Sequence, residues 1–306
     1  MSGTPTVSVQ MAAYNAERYV AEAVESILAQ TFADFEFLII DDGSTDQTRA
    51  ILERYGQADR RIRIISRPNR GIVETRNELL GLGRGEFVAI MDADDVAMPL
   101  RLERQVDYLR QHPECLAVGS AVRVIDPDGD PLCVWNEDAL THEQIDRIHL
   151  EGGSRGAVIN QPAILMRAAA VQALGGFRRR FEPAEDLDLY LRLAEVGRLA
   201  NLPEPLLCYR MLPTSAGHAR KQEQLNGMWE AIAEARQRRG LPEASPPPEP
   251  QPSNLSDLKR NQFVWSWWAI RSGQLATARK HAWAYFTHRP MSLSSWRLLY
   301  CAIRGR

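Results

Sequence analysis

Apolar positions along the first hundred residues alternate between two rhythms. Residues 6–11 and 35–40 form short apolar runs of the kind a buried strand needs. Between them, Tyr19, Val20, Ala23, Val24, Ile27 and Leu28 fall on one face of a helix predicted over 16–30. The pattern continues with a helix starting near Asp46, where Ser44, Thr45 or Asp46 can cap it, and a strand at 61–66. A helix at about 71–82, a strand at 87–91 and a helix opened by Pro99 and running to 110 complete the series. This βαβαβ order predicts an α/β fold, a Rossmann-like and mainly parallel sheet flanked by helices, which binds ligands at the carboxyl ends of its strands.

The rhythm loosens after residue 112. Strands are expected at 116–125, 163–167 and 205–210, and helices at 168–174, 185–196 and 222–239. Residues 241–254, which include Pro246, Pro247 and Pro248, lack apolar periodicity and read as an extended linker. The 255–306 extension has a different composition: nine Lys or Arg residues against Asp257 alone, interleaved with Trp265, Trp267, Trp268, Trp283 and Trp296. The division expected is therefore 1–240, with halves 1–112 and 113–240, then the linker, then a helical, basic C-terminal region.

A chain of 306 residues with 44% hydrophobic content can bury a substantial core. Its net charge of −2 supplies no global basic field, and no nucleic-acid partner is expected. Cys115, Cys133, Cys208 and Cys301 are widely spaced, with no Cys-x-x-Cys pair, which points away from a zinc knuckle or a disulfide framework. With neither a leader-like start nor a run of about 18 apolar residues, the expected location is cytoplasmic.

The strongest chemical signal is Met91-Asp92-Ala93-Asp94-Asp95, three carboxylates at the end of an apolar strand. Two unit charges about 4 Å apart repel by about 4 kcal/mol at an effective dielectric of about 20, so such a cluster calls for a cation. Hard oxygen ligands suit Mn²⁺ or Mg²⁺ completed by phosphate oxygens. By itself the cluster is equally a strand end followed by helix-capping aspartates, and Asp41-Asp42-Gly43-Ser44-Thr45-Asp46 is by itself an ordinary polar turn.

Taken in order, residues 7–15, 38–46, Arg70-Gly71, Arg76-Asn77 and 91–95 resemble the nucleotide-binding half of the family 2 glycosyltransferases, and the resemblance runs from about residue 6 to 210. It implies a GT-A fold, a nucleotide-diphospho-sugar donor, UDP-sugar first, a divalent cation, and inversion at the anomeric carbon. By the same resemblance Tyr14 and Asp42 contact the nucleobase, with Ala12 and Asp41 beside them, and Arg70 or Arg76 assists the phosphates. Asp94 binds the metal, with Asp92 as a second ligand, while Asp92 and Asp95 contact the ribose or support the ion, and Ala93 lies between Asp92 and Asp94. Ala12 stands where the family often has Thr or Ser, so one hydroxyl contact is missing. Asp186 corresponds to the family's base, with Glu185 as the fallback, and Gly175-Gly176-Phe177 recurs ahead of that base. The family often has a His-containing loop after the segment matching Cys208-Tyr209-Arg210; here the histidine is displaced to His218.

The resemblance implies an acceptor that is a saccharide or lipid-linked saccharide, in surface polysaccharide or lipopolysaccharide synthesis. A non-catalytic sugar-nucleotide-binding or scaffold relative of the same fold is the alternative. The basic, Trp-rich extension fits two roles equally: a peripheral segment on an anionic membrane, or a helical unit packed on the core.

Overall fold

Alternation of apolar strand and amphipathic helix begins at Val7 in the computed structural model, which describes residues 3–135, 138–152, 158–212, 220–243 and 257–305. Strand β1 (Val7–Ala13) leads to α1 (Val20–Leu28), whose Val20, Ala23, Val24 and Ile27 face the core. Next come β2 (Phe35–Asp41), α2 (Thr48–Ala58), β3 (Ile62–Ser66), α3 (Ile72–Leu82) and β4 (Phe87–Asp92). Strands β1, β2 and β4 are apolar and buried almost throughout, as central strands covered on both faces must be. Helix α2 starts two residues later than its turn sequence suggests, because the Asp46 carboxylate accepts the Thr48 backbone N–H at 2.9 Å from outside the helix.

The short β5 (Val96–Ala97) and α4 (Arg101–Gln111) lead into the second half. There β6 (Cys115–Ile125) and β7 (Pro131–Trp135) form a hairpin, followed by α5 (His142–Glu151), β8 (Leu165–Arg167), α6 (Ala168–Ala173), α7 (Glu185–Ala194), β9 (Arg198–Arg210) and α8 (Lys221–Arg238). Among the described residues the strand order is β3-β2-β1-β4-β8-β6-β9-β5, with β7 beside β6. The first four strands are mutually parallel, while β8 runs antiparallel to both β4 and β6. The second half is thus less parallel than the sequence rhythm suggests. An antiparallel neighbour needs no crossover helix, so no βαβ signal announces it.

Two other elements depart from expectation for local reasons. Strand β9 begins at Arg198, although Pro203 and Pro205 argue against a strand there; register shifts against β6 between Ser120 and Val122 accommodate them. Helix α5 is opened by a capping box, in which the Thr141 hydroxyl accepts the Gln144 N–H and the Gln144 side chain accepts the Thr141 N–H.

Residues 244–254 of the Pro-rich stretch lie outside the described residues. Beyond them α9 (Asp257–Arg271), α10 (Leu275–His288) and α11 (Leu293–Arg304) join the main core. Trp265, Ala269, Ala278, Ala282, Tyr285 and Leu298 are continuous with the apolar cluster under β1, β2 and β4, and Trp268 meets Trp135 edge-on at 5.5 Å. Polar anchoring is concentrated on the 126–130 turn of the β6–β7 hairpin. Lys280 Nζ donates to Asp126, Asp128 and Asp130 at 2.7, 2.8 and 2.7 Å, and His281 Nε2 lies 2.9 Å from Asp126. The ammonium occupies the centre of three carboxylates, and burial of Asp126 makes the contact stronger than a solvent-exposed pair.

Candidate functional site

Parallel register brings the ends of three strands together. Ala12 lies beside Ile40 on one side and Asp92 on the other, and Ala13 lies beside Asp41. The loop after β1 is tied to the loop after β2: Asn15 Oδ1 accepts the Thr45 N–H at 2.8 Å, and Ser44 Oγ accepts the Asn15 N–H at 3.0 Å. Asp41 is buried and accepts the Ser44 N–H, a turn-holding role.

Asp42 is buried as well, and its carboxylate accepts from the Arg67 guanidinium and from the backbone N–H groups of Arg70 and Gly71, each at 3.0 Å. Gly43, at φ +82°, permits this closure, since a Cβ there would sit 2.7 Å from the Asn69 nitrogen. Tyr14, which follows β1, is exposed. The Arg70 side chain is also largely exposed, 3.8 Å from Glu78.

At the end of β4 the acidic turn is gripped from behind. Arg210, the last residue of β9, donates its backbone N–H to Asp95 Oδ1 at 2.8 Å and its Nε to the Asp94 carbonyl at 2.8 Å. The same guanidinium pairs with Glu22 at 2.6 Å. Arg101 is wholly buried, bonded to the carbonyls of Ile90 at 2.7 Å and Ile164 at 3.2 Å, and the charges of Asp95 and Asp92 favour its ionised form. Burial lowers its own pKa to about 10.

These cations leave the carboxylates under-compensated. Burial and then the Asp92 charge push Asp94 up to about 6; burial and then the Asp94 charge push Asp95 well above the usual range. Asp95 Oδ2 is buried without a hydrogen-bond partner. The donor set of hard, uncompensated oxygens fits a Mg²⁺-like or Mn²⁺-like ion that takes one or two protein carboxylates. Among the described residues no three His, Cys, Asp or Glu side chains converge as a complete cage, so such an ion needs further oxygens from a ligand.

The second constellation faces the first through Arg76. From α3 this buried side chain pairs with Glu185 and reaches Asp92 Oδ1 at 3.4 Å, spanning both acidic groups. Asn77, its neighbour, accepts the Phe177 N–H at 2.9 Å and donates to the Phe177 carbonyl at 2.8 Å. Gly176, at φ +71°, makes that approach possible, because a Cβ would meet Asn77 Oδ1 at 2.5 Å. Asp186, at the first turn of α7, is pushed up to about 7 by burial and then by the Glu185 charge. Asp188 is different: it is held by Arg178 and Arg192 and is structural.

Arg76 therefore links two of the sequence candidates, Asp92 and Glu185, with Asp186 next to Glu185 and Asp94 and Asp95 next to Asp92 along the chain. Arg70 stands apart on the surface. His218 lies outside the described residues. Nothing in the sequence marked Arg101, which sits in a strongly polar helix, and Arg210 was visible only as the end of a segment. The Arg67–Asp42 pair was equally silent, since neither spacing nor periodicity reports contacts across 25 residues.

The Glycosyl transferase family 2 model matches residues 8–168. An uncharacterized glycosyltransferase of Haemophilus influenzae is 35% identical over 69% of this chain and 67% of its own length. The chondroitin synthase of Escherichia coli is 32% identical over 67% of this chain, which spans 28% of that protein. Among solved structures, Staphylococcus aureus TarS 1–349 with UDP-GlcNAc shares 18% identity and a TM-score of 0.61, covering 97% of this chain and 79% of that one. The Pyrobaculum calidifontis mannosyltransferase PcManGT, with GDP-Man and Mn²⁺, shares 20% identity and a TM-score of 0.59 over 99% and 81%. At these identities the two structures establish the GT-A fold.

Proposed function

This chain belongs to glycosyl transferase family 2 and is a glycosyltransferase, and we propose that it moves a sugar from a nucleotide-diphospho-sugar to an acceptor hydroxyl with inversion at the anomeric carbon. A UDP-sugar is the first-choice donor, and a saccharide or lipid-linked saccharide of a surface polysaccharide or lipopolysaccharide is the acceptor. The observation that carries the proposal is the row Asp92–Arg76–Glu185–Asp186, which sets a candidate base beside a carboxylate cluster that its arginines only partly compensate.

In this scheme Tyr14 and Asp42 contact the nucleobase. Asp94 and Asp92 hold the divalent ion, Mn²⁺ or Mg²⁺, with Asp95 behind them. When bound, the ion neutralises charge developing on the departing diphosphate. Asp186 accepts the acceptor hydroxyl's proton as that oxygen attacks from the face opposite the leaving group. A positioned carboxylate of this kind contributes about 10²- to 10⁴-fold. A pKa near 7 balances the fraction ionised against basicity at neutral pH. Arg76 holds Glu185 and keeps the two acidic groups in register. Residues 257–305 are proposed to contact an anionic membrane at its cytoplasmic face. Among the described residues no helix is long and apolar enough to cross one.

The test is calorimetric titration of UDP, GDP and dTDP into the protein with Mn²⁺ and then with EDTA, alongside Asp94→Ala and Asp186→Asn. Metal-dependent binding of one nucleotide, lost in Asp94→Ala and kept in Asp186→Asn while transfer stops, supports the assignment. No binding by any nucleotide transfers the weight to a non-catalytic relative, and native transfer by Asp186→Asn removes the base.

A further inference from the structure

We propose that the outward face of α10 and α11 is a docking surface for an anionic lipid bilayer. This deepens the membrane contact proposed above and rests on it, but it does not depend on the chemistry assigned to the donor site.

The exposed face of helix α11 mixes large apolar residues with arginines and is not the uniformly polar face that a helix in water normally presents. Ser295, Leu298 and Ala302 are buried against the rest of the protein. At helical spacing on the other side, Leu293, Trp296, Tyr300 and Ile303 are all exposed. Trp283 on α10 and Met291 in the intervening turn extend this surface, Met291 being 96% exposed. Of the nine large hydrophobic residues exposed among the described residues, six lie between Trp283 and Ile303, so the patch is a local feature and not a background scatter.

The patch is preformed. Trp283 stacks on Phe286 at 5.7 Å, and Phe286 meets Trp296 edge-on at 4.7 Å, which joins the two helices into one aromatic surface. Trp296 donates its indole N–H to the Pro290 carbonyl at 2.9 Å, so its exposed ring carries no polar group that burial would strand. The Lys280 and His281 contacts with the 126–130 turn fix α10 to the body, while Trp283 stays exposed.

Charge selects the occupant. Arg289, Arg297 and Arg304 are exposed within or beside the patch, and no Asp or Glu follows Asp257 in the chain. A second copy docking through the same face would set these guanidinium groups against their equivalents. An anionic headgroup layer meets them with opposite charge, while the aromatic and aliphatic rings enter the acyl boundary and the long Arg side chains reach back to the phosphates. With no helix suited to cross the bilayer among the described residues, the geometry is that of a surface-lying contact.

The experiment is co-sedimentation of the full chain with vesicles of phosphatidylcholine alone, or of phosphatidylcholine mixed with half its amount of phosphatidylglycerol, with Trp fluorescence read in parallel. Binding to the anionic vesicles with a blue-shifted emission is expected. Met291→Gln/Leu293→Gln, at positions too exposed to affect folding, is expected to weaken it on the order of tenfold, as is Arg297→Gln/Arg304→Gln. Nucleotide binding by both variants should equal that of the parent, which separates failure here from failure of the donor site. No binding to either vesicle overturns the proposal. Equal binding to neutral vesicles overturns its charge component. Concentration-dependent dimerisation abolished by the same substitutions, without vesicle binding, reassigns the face to a second copy.

Discussion

Glu185→Gln isolates the electrostatics of the proposed base. The substitution keeps an oxygen for Arg76 to donate to and removes one negative charge from beside Asp186. Asp186 is raised to about 7 by burial first and by the Glu185 charge second, and the Arg76 charge opposes both. Removing the Glu185 charge eliminates one raising effect and leaves Arg76 less neutralised, so both consequences lower the pKa of Asp186. Two unit charges about 4 Å apart interact by about 4 kcal/mol at an effective dielectric of about 20, which sets an upper limit. A third of that, about 1.4 kcal/mol, moves a pKa by about one unit, to about 6 or below.

A base acts when deprotonated, so kcat/KM rises with pH through its pKa in the free enzyme. The expected result is an acid limb near 7 in the parent that shifts about one unit lower in Glu185→Gln, with a modest loss in the plateau because a weaker base accepts the proton less readily. The assay is the pH profile of kcat/KM under saturating metal, with release of nucleoside diphosphate as the signal. A limb that stays in place or moves upward in Glu185→Gln refutes the reasoning, as does an unchanged limb in Asp186→Asn.

The same raised carboxylates govern stability. Asp94 at about 6 and Asp186 at about 7 bind protons more tightly folded than at their ordinary 3.8, so their contribution is complete below that value and is lost as pH rises through about 7. These two groups should therefore lower the melting temperature of the metal-free protein between about pH 5 and about pH 8, against the opposing contribution of buried His149, whose pKa burial lowers to about 3; Asp94→Asn should reduce the loss and Mn²⁺ should stabilise most at the higher pH, and identical pH slopes for the parent and Asp94→Asn would contradict the scheme. Lys280→Met leaves Asp126, Asp128 and Asp130 without their shared cation, and because Asp126 is buried the expected loss is about 2 kcal/mol in urea unfolding. An unchanged midpoint would show that apolar packing alone secures α9 to α11.

The sequence by itself determined the parallel half of the sheet and, through its ordered motifs, the glycosyltransferase family. Strands β1, β2 and β4 are buried on both faces and so are mostly apolar, with the interior Ser8, Gln10 and Glu36 hydrogen-bonded, and α1 between them shows a 3.6-residue stripe; both patterns are written locally. The carboxylates at 41–42, 92–95 and 185–186 were visible because several like charges at strand or helix ends are unusual without a partner.

Tertiary structure decided which cations and neighbours set those carboxylates. Arg67 with Asp42, Arg76 between Asp92 and Glu185, Arg101 with the Ile90 carbonyl and Arg210 with the acidic turn join residues up to 116 positions apart. An arginine looks the same in sequence whether it is solvated or buried, so no periodic signal reports such contacts. It also decided the two faces of the C-terminal helices. Composition showed many tryptophans and arginines, but only packing against the core separates Trp265, which is buried, from Trp283 and Trp296, which remain on the surface. Whether an apolar side chain is covered depends on what the rest of the chain places against it.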